Sequence, residues 1–360
     1  MSTKVHFPGK AEFYKELKTR INSYFTENGT TPTGGKKLAF KSVIVIGLVV
    51  VSYVYLVFFA QGWIDTLIFS FLLAQGFALV GFNVMHDSVH GSFARSRKIN
   101  KIMGYTMDIL GGNARLWYHK HNVLHHTYTN IAGMDTDIET SGLMRMSPQQ
   151  EWRPWHRFQV LYAFPAYSLL TISMVLFTDF QKFISGRIGK YKLPKAGVKE
   201  STRFWLMKAF YFFYALALPM FFHSWWIVLL VFLLVHLILG LTFSIVFQLA
   251  HTMEDNSFPE PDPNDGTVKN EWAIHQIETT ANFGTRSRFL YWYIGGLNFQ
   301  IEHHLFAKIS HVHYPEISRI VRETCDEFGV KYVEYKSMFS ALGTHLRFIY
   351  HMGKKPYATH

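Results

Sequence analysis

Three histidine clusters carry the chemistry of this sequence: His86-Asp-Ser-Val-His90, His121-Asn-Val-Leu-His125-His126 and Gln300-Ile-Glu-His303-His304, in a chain of 360 residues with 19 His. Neutral imidazole is the commonest metal ligand in proteins. On an α-helix, side chains four apart lie over one another, so His86 with His90, and His121 with His125, each form a pair able to grip one ion. Adjacent histidines point about 100° apart, and the doublets His125-His126 and His303-His304 therefore suit two metals better than one. About one such doublet is expected by chance from this composition. The set of clusters is another matter, because buried imidazoles without a metal would leave many donors and acceptors unpaired. His251, at the end of Gln-Leu-Ala-His, offers one more nitrogen, while Gln300 and Asp87 are candidates for a weak ligand or for support behind the ligands. His223 and His236 read as structural, and His119, His156, His275, His311 and His313 as supporting or surface residues.

A site of imidazoles suits zinc, copper, iron or nickel, and residue types alone do not choose among them. The single cysteine, Cys325, leaves no thiolate cluster and no intrachain disulfide. Zinc would favour hydrolysis, whereas two irons would activate O2 against an unactivated C–H bond. No nucleophile or general base accompanies the histidines, which favours redox chemistry.

The elements that must position these clusters are apolar. Hydrophobic residues make up 49% of the chain and charged ones 17%, below the roughly 25% charged of a soluble domain. A soluble nucleic-acid binder is excluded on that ground despite the net charge of +11. From Ser42 to Ala94, and again from Ala209 to Val268, there is no Lys or Arg. Each block marks two runs near the ~20 residues that cross a bilayer: residues 43–60 and 67–85, then 204–222, which starts just before its block and includes Lys208, and 225–250. Each pair reads as a helical hairpin. Lys36, Lys37 and Lys41, then Arg95, Arg97, Lys98 and Lys101, then Lys182 to Lys208 flank them, and the positive-inside rule places all of these in the cytosol. The expectation is an all-α integral membrane protein in one domain, residues 1–360. It has four transmembrane helices in two hairpins, both termini cytosolic, and a cytosolic helical cap, residues 86–157 and 251–360, carrying a di-metal site. Residues 1–41 form a cytosolic segment without a cleavable signal. The fifth apolar run, 158–177, is expected to lie in the interface, because a crossing there would put the second and third clusters on opposite faces.

These clusters, with the two hairpins, resemble the three histidine boxes of the integral-membrane fatty acid desaturases. The likeness extends through His-His-Thr-Tyr-Thr-Asn from His125, Arg-Met-Ser-Pro from Arg145, Thr-Thr-Ala-Asn-Phe from Thr279 and His-His-Leu-Phe from His303. Gln300 at the head of the last box is similar to the front-end, delta-6 or linoleoyl-CoA type, which places a cis double bond between an existing one and the carboxyl end. The resemblance implies an oxidoreductase with two Fe2+ ions, O2 as co-substrate, and His86, His90, His121, His125, His126, His251, His303 and His304 as ligands. It implies a fatty acyl-CoA or acyl-lipid substrate, and unsaturated fatty acid biosynthesis in a bacterial cell membrane. Many eukaryotic front-end relatives carry a fused cytochrome b5 with a His-Pro-Gly-Gly motif, which His6-Phe-Pro-Gly does not reproduce, so a separate donor, ferredoxin or cytochrome b5, is implied. Many of those relatives also have two residues, not three, between the first histidines of the middle box. On an α-helix the difference turns the first ligand by about 100°.

Trp117, Tyr118, Trp292 and Phe299 are candidate walls of an acyl tunnel, with membrane-interface anchoring as the plainer role for any one of them. Two rival functions stand beside the desaturase. A hydroxylase on the same scaffold would add oxygen in place of removing hydrogen. A histidine-lined metal transporter would place its histidines inside the spans, where only His236 falls.

Overall fold

A computed structural model of the chain describes residues 5–9 and 11–355. It is mostly helical, and four helices are long and apolar enough to cross a membrane: Gly35–Phe58, Trp63–His90, Val198–Phe221 and Trp225–His251, with mean hydropathy from 1.4 to 2.7. At 1.5 Å per residue, their 24 to 28 residues reach beyond the ~30 Å of hydrocarbon. This explains why each helix differs in extent from its apolar run. Val198–Phe221 begins six residues before Phe204, on polar turns carrying Lys199, Glu200 and Arg203, and Trp63–His90 continues through the whole first cluster. Hydropathy marks only the apolar run, while the helix itself continues into polar sequence.

The chain divides into two compact units. One comprises Gly34–His119 and Phe164–Ile245, so residues 86–119, expected with the cap, belong to the unit that holds most of the apolar helices. The other comprises Met1–Thr33, Lys120–Ala163 and Val246–His360.

In the first unit the usual burial pattern is inverted. Val50, Ile64, Phe71, Leu206, Phe210 and Leu230 are all exposed, as lipid-facing side chains must be and as water-facing ones seldom are. Small residues bring the helices together: a Cβ on Gly81 would lie 2.6 Å from the ring of Phe243, and one on Gly240 would lie 2.3 Å from the carbonyl oxygen of Ser168. Tyr55 stacks on Phe69 with centroids 3.7 Å apart. The fifth apolar run forms two helices, Pro154–Ser168 and Leu170–Ser185, bent by 56°. Asp179 near its end forms a buried ion pair at 3.0 Å with Lys208 of the third apolar helix, whose ammonium also donates to Gly111 O at 2.6 Å.

The second unit has an ordinary core. Phe13, Leu17 and Ile21 recur every four residues along Glu12–Glu27 and bury one face against Ile317, Val321 and Cys325 of Tyr314–Phe328. Ile301 and Leu305 join that core. They lie on one side of the short helix Gln300–Leu305 and hold it by two apolar pegs. The expectation of helices throughout is corrected in small part by two strand pairs. Arg187–Ile188 pairs antiparallel with Tyr191–Lys192, and Asn282–Phe283 pairs parallel with Glu334–Tyr335. Strands of two residues leave no alternating pattern to read.

Candidate metal centre

Six of the eight candidate ligands fall in the second unit, and all six are buried: His121, His125, His126, His251, His303 and His304. Three elements deliver them. His121 and His125 sit in a π-helical segment, His119–His125, rather than an α-helix, and their rings stack at 5.3 Å with 20° between planes. His126 begins the next turn. His251 is the last residue of the fourth apolar helix. His303 and His304 are carried by Gln300–Leu305, entered through Gly295 and Gly296 at φ 61° and 70°. A side chain on Gly296 would also meet His311 Cβ at 2.7 Å, so glycine is required there on both counts.

The rings converge. One nitrogen from each of His125, His251 and His304 lies within 4.8 Å of the others, and the same holds for His126, His303 and His304. His304 thus faces both groups. The Nε2 atoms of His121 and His126 are 3.2 Å apart. Two imidazole nitrogens bound to one ion at ~2.1 Å would stand about 3.0–3.4 Å apart for ordinary bond angles, so this spacing fits shared coordination.

The far side of four of these rings is held by a partner. His125 Nδ1 lies 3.0 and 3.1 Å from the carboxylate oxygens of Asp135, His304 Nδ1 2.8 Å from Gln276 Oε1, His251 Nδ1 3.3 Å from Thr279 O, and His303 Nδ1 3.2 Å from the Tyr314 hydroxyl. A metal-binding histidine typically donates its other N–H to such an oxygen, which fixes the tautomer and aims Nε2 at the ion. By donor chemistry, spacing and orientation, the residues fit a metal.

The charges around them agree. Burial lowers the pKa of His125, but the carboxylates of Asp135 and Asp137 outweigh it and the net shift is upward. Burial would raise Asp137, yet Lys120 at 2.5 Å, with His125 and His121, holds it well below the ordinary carboxylate range. His125 thus sits in a negative field that favours a cation. Glu302, between Ile301 and His303, turns away from them. Asn282 Nδ2 and the Tyr332 hydroxyl donate to it, each at 2.8 Å, and burial pushes its carboxyl up to about 7.

His86 and His90 belong to the first unit. They are buried one turn apart with centroids at 4.7 Å, and Trp117 packs edge-on to both at 5.8 and 6.0 Å. A π-helical segment, Gly81–Met85, precedes them. Asp87 is buried, with Oδ1 3.7 Å from His86 Nδ1. Gln300 lines a void with His121, His125, His251 and His303, floored by Phe247 and Leu297. Of the four aromatic candidates, Phe299 is buried and Trp117 half-buried, whereas Tyr118 and Trp292 are exposed.

Residues 39–336 of the chain match the family model of the Fatty acid desaturases. The chain belongs to that family. It is 34% identical over 352 residues to the sn-1 linoleoyl-lipid 6-desaturase of Synechocystis sp., covering 98% of each chain. To the enzyme of the same name in Arthrospira platensis it is 34% identical over 357 residues, covering 99% of this chain and 96% of that one. To the acyl-lipid (8-3)-desaturase of Physcomitrium patens it is 36% identical over 350 residues, covering 95% of this chain and 72% of the other.

Sequence reasoning missed the support behind this desaturase's histidines. Asp135, Asp137, Gln276 and Tyr314 follow no ligand spacing, because loops and separate helices fold them back. One signal was available. The stretches His-His-Thr-Tyr-Thr-Asn and Thr-Thr-Ala-Asn-Phe hold Asn130, Thr279 and Asn282, each of which hydrogen-bonds within this unit. Asn130, at φ 59°, donates from its side chain to His251 O at 2.8 Å, and its N–H reaches Asp135 Oδ2 at 2.9 Å. Asn282 Oδ1 receives the Ile301 N–H at 2.9 Å.

Proposed function

We propose that the enzyme is a front-end desaturase that inserts a cis double bond into an already unsaturated acyl chain carried on a lipid, with delta-6 regiochemistry. The observation that carries this reading is the pair of convergent histidine groups with their supporting oxygens, in a chain aligned along nearly its whole length with two linoleoyl-lipid 6-desaturases. Those names, and the acyl-lipid name of the moss enzyme, favour a glycerolipid substrate over a coenzyme A thioester.

The metal is two irons, and the ligands are His86, His90, His121, His125, His126, His251, His303 and His304, with Gln300 beside the void. Bound iron supplies the O2 activation that no protein acid or base provides. The overall change removes two hydrogens from adjacent carbons and consumes O2, two electrons and two protons, giving two waters. The protein's part is to hold the imidazoles in one tautomer through Asp135, Gln276, Thr279 and Tyr314, and to keep bulk water from the buried rings.

The four apolar helices form two hairpins with both termini in the cytosol and the histidine segments on the cytosolic side. The bend in Pro154–Ser185 supports a helix pair that dips into the bilayer without crossing it, which keeps the second and third boxes on one face. A separate reduced carrier supplies electrons.

Expression in a host supplied with linoleate tests the reading. A new double bond at carbon 6 on glycerolipid chains is expected. Purified protein given linoleoyl-phosphatidylcholine and linoleoyl-CoA separately should act on the first. Hydroxylated product, or turnover without O2, would overturn the assignment.

A further inference from the structure

The net positive charge of this protein is confined to one of its two units. Gly34–His119 and Phe164–Ile245 hold 16 Lys and Arg against 5 Asp and Glu, whereas the remainder of the chain holds 20 of each. The whole surplus of +11 therefore belongs to the unit with the apolar helices. Three of its acids, Asp87, Asp108 and Asp179, are buried. Asp65 caps the start of the second apolar helix, accepting from Gly62 N at 2.9 Å. Glu200 is paired with Arg115 at 3.4 Å. No acid is left to offset the exposed bases.

Four of those bases gather at one structure. The hairpin of Arg187–Ile188 and Tyr191–Lys192 exposes Arg187, Lys190 and Lys192, followed by Lys195. It is tied to the helix Ala114–Tyr118 by the Arg115 guanidinium, which donates to Pro194 O. Within residues 185–197 no large apolar side chain is exposed, although Ile184 and Val198 on either side are. Near Arg97, Lys98 and Lys101, Ile99 and Ile102 are exposed within the basic helix itself, the mixture expected where a helix meets lipid. The two strands and their turn thus expose bases and no large apolar side chain of their own.

Beside this surface lies a group of aromatic residues. Tyr191 lies 6.0 Å from His119, His119 is 5.4 Å from Tyr118, and Trp117, the next residue back, meets His86 and His90. We infer that the basic hairpin is the docking surface for an acidic one-electron carrier protein, and that Trp117 is the positioning aromatic between the docked carrier and the imidazoles of His86 and His90. The inference rests on the reading of the chain as a metal-dependent desaturase. The carrier is oxidised by one electron per encounter, and two encounters meet the demand of one double bond. Complementary charge raises the rate of encounter and loses its effect as salt screens it.

The test uses the full-length protein in nanodiscs of neutral lipid, with a plant-type ferredoxin and the soluble haem domain of cytochrome b5 as probes. Carrier affinity is measured first, a readout independent of turnover. Lys190→Glu with Lys192→Glu should weaken binding of at least one probe tenfold or more at low salt, where the screening length is ~30 Å, and by far less at 0.15 M, where it is ~8 Å. Iron content and reduction by dithionite should not change. Trp117→Leu should leave carrier affinity intact and slow reduction at saturating carrier. Unaltered affinity after charge reversal would overturn the proposal, as would loss of dithionite reduction together with carrier binding, which assigns the hairpin to folding. Selective loss of binding to anionic vesicles would make it a lipid surface instead. Wild-type protein that binds carrier but holds no iron would sink the desaturase reading while leaving the docking surface standing.

Discussion

His304 Nδ1 lies 2.8 Å from Gln276 Oε1, and the same oxygen accepts the Thr129 hydroxyl at 3.0 Å. One amide oxygen thus connects the third histidine box to the turn that follows the second. An oxygen at that place requires the proton on Nδ1 and leaves Nε2 for metal.

Gln276→Ala should therefore lower metal affinity by ~10–100-fold, the range for loss of an outer-shell partner, while Gln276→Glu, which keeps an acceptor, should retain most of it. Iron per chain after dialysis against a weak chelator measures the difference. Equal retention in both variants would remove Gln276 from the site.

Asp135 supports His125 with both carboxylate oxygens and caps the Asn130 N–H. Asp135→Ala should cost iron and product more severely than Asp255→Ala, whose carboxylate pairs with Lys331 and Tyr335 at the surface. Metal analysis and lipid mass spectrometry on membranes of equal protein content make the comparison.

His125→Ala and His304→Ala should abolish the new double bond. His351→Ala, at an exposed histidine beside Glu254, should not. Gas chromatography of total fatty acids reads all three, and residual desaturation in either of the first two would exclude that residue as a ligand.

Burial pushes His275 and His345 down to about 4 from 6.5, so both are neutral in the folded protein. The unfolded chain takes up their protons first, and their contribution to stability is full above pH 6.5 and falls as pH drops towards 4. The apparent melting temperature in detergent should decline across that window. His345→Asn, which preserves a donor for Thr252 O, now 2.8 Å from Nδ1, should make the decline shallower.

Gly240→Ala places a Cβ 2.3 Å from Ser168 O, against backbone that cannot swing aside, whereas a Cβ on Gly47 meets nothing within 4 Å. The first substitution should destabilise by roughly 1–3 kcal/mol, the usual cost of overpacking. The second should be neutral or slightly stabilising, since alanine favours helix. Thermal unfolding of the two variants in one detergent separates these outcomes.

The apolar helices were legible because hydrocarbon imposes a length and forbids charge over it, so Ser42–Ala94 and Ala209–Val268 could be divided by eye. The histidines were legible because spacing on a helix is local. What escaped was non-local or locally irregular. Asp135 returns to His125 through a loop, Tyr314 comes from another helix, and the break near Leu169 leaves a run that still reads as one apolar segment. The wide turns at Gly81–Met85 and His119–His125 depend on packing that no single stretch of sequence encodes.

The second of those wide turns has a consequence for how such enzymes vary. A π-helical turn bonds each N–H five residues back instead of four and so absorbs one extra residue within an otherwise helical path. The additional residue between His121 and His125 need not rotate His121 away from its neighbours, because the surplus is taken up by the widened turn and the rings of His121 and His125 remain stacked. Insertion and deletion at this box then become interchangeable spellings of one ligand arrangement, and a chain written with the shorter form would be expected to run through it as plain α-helix.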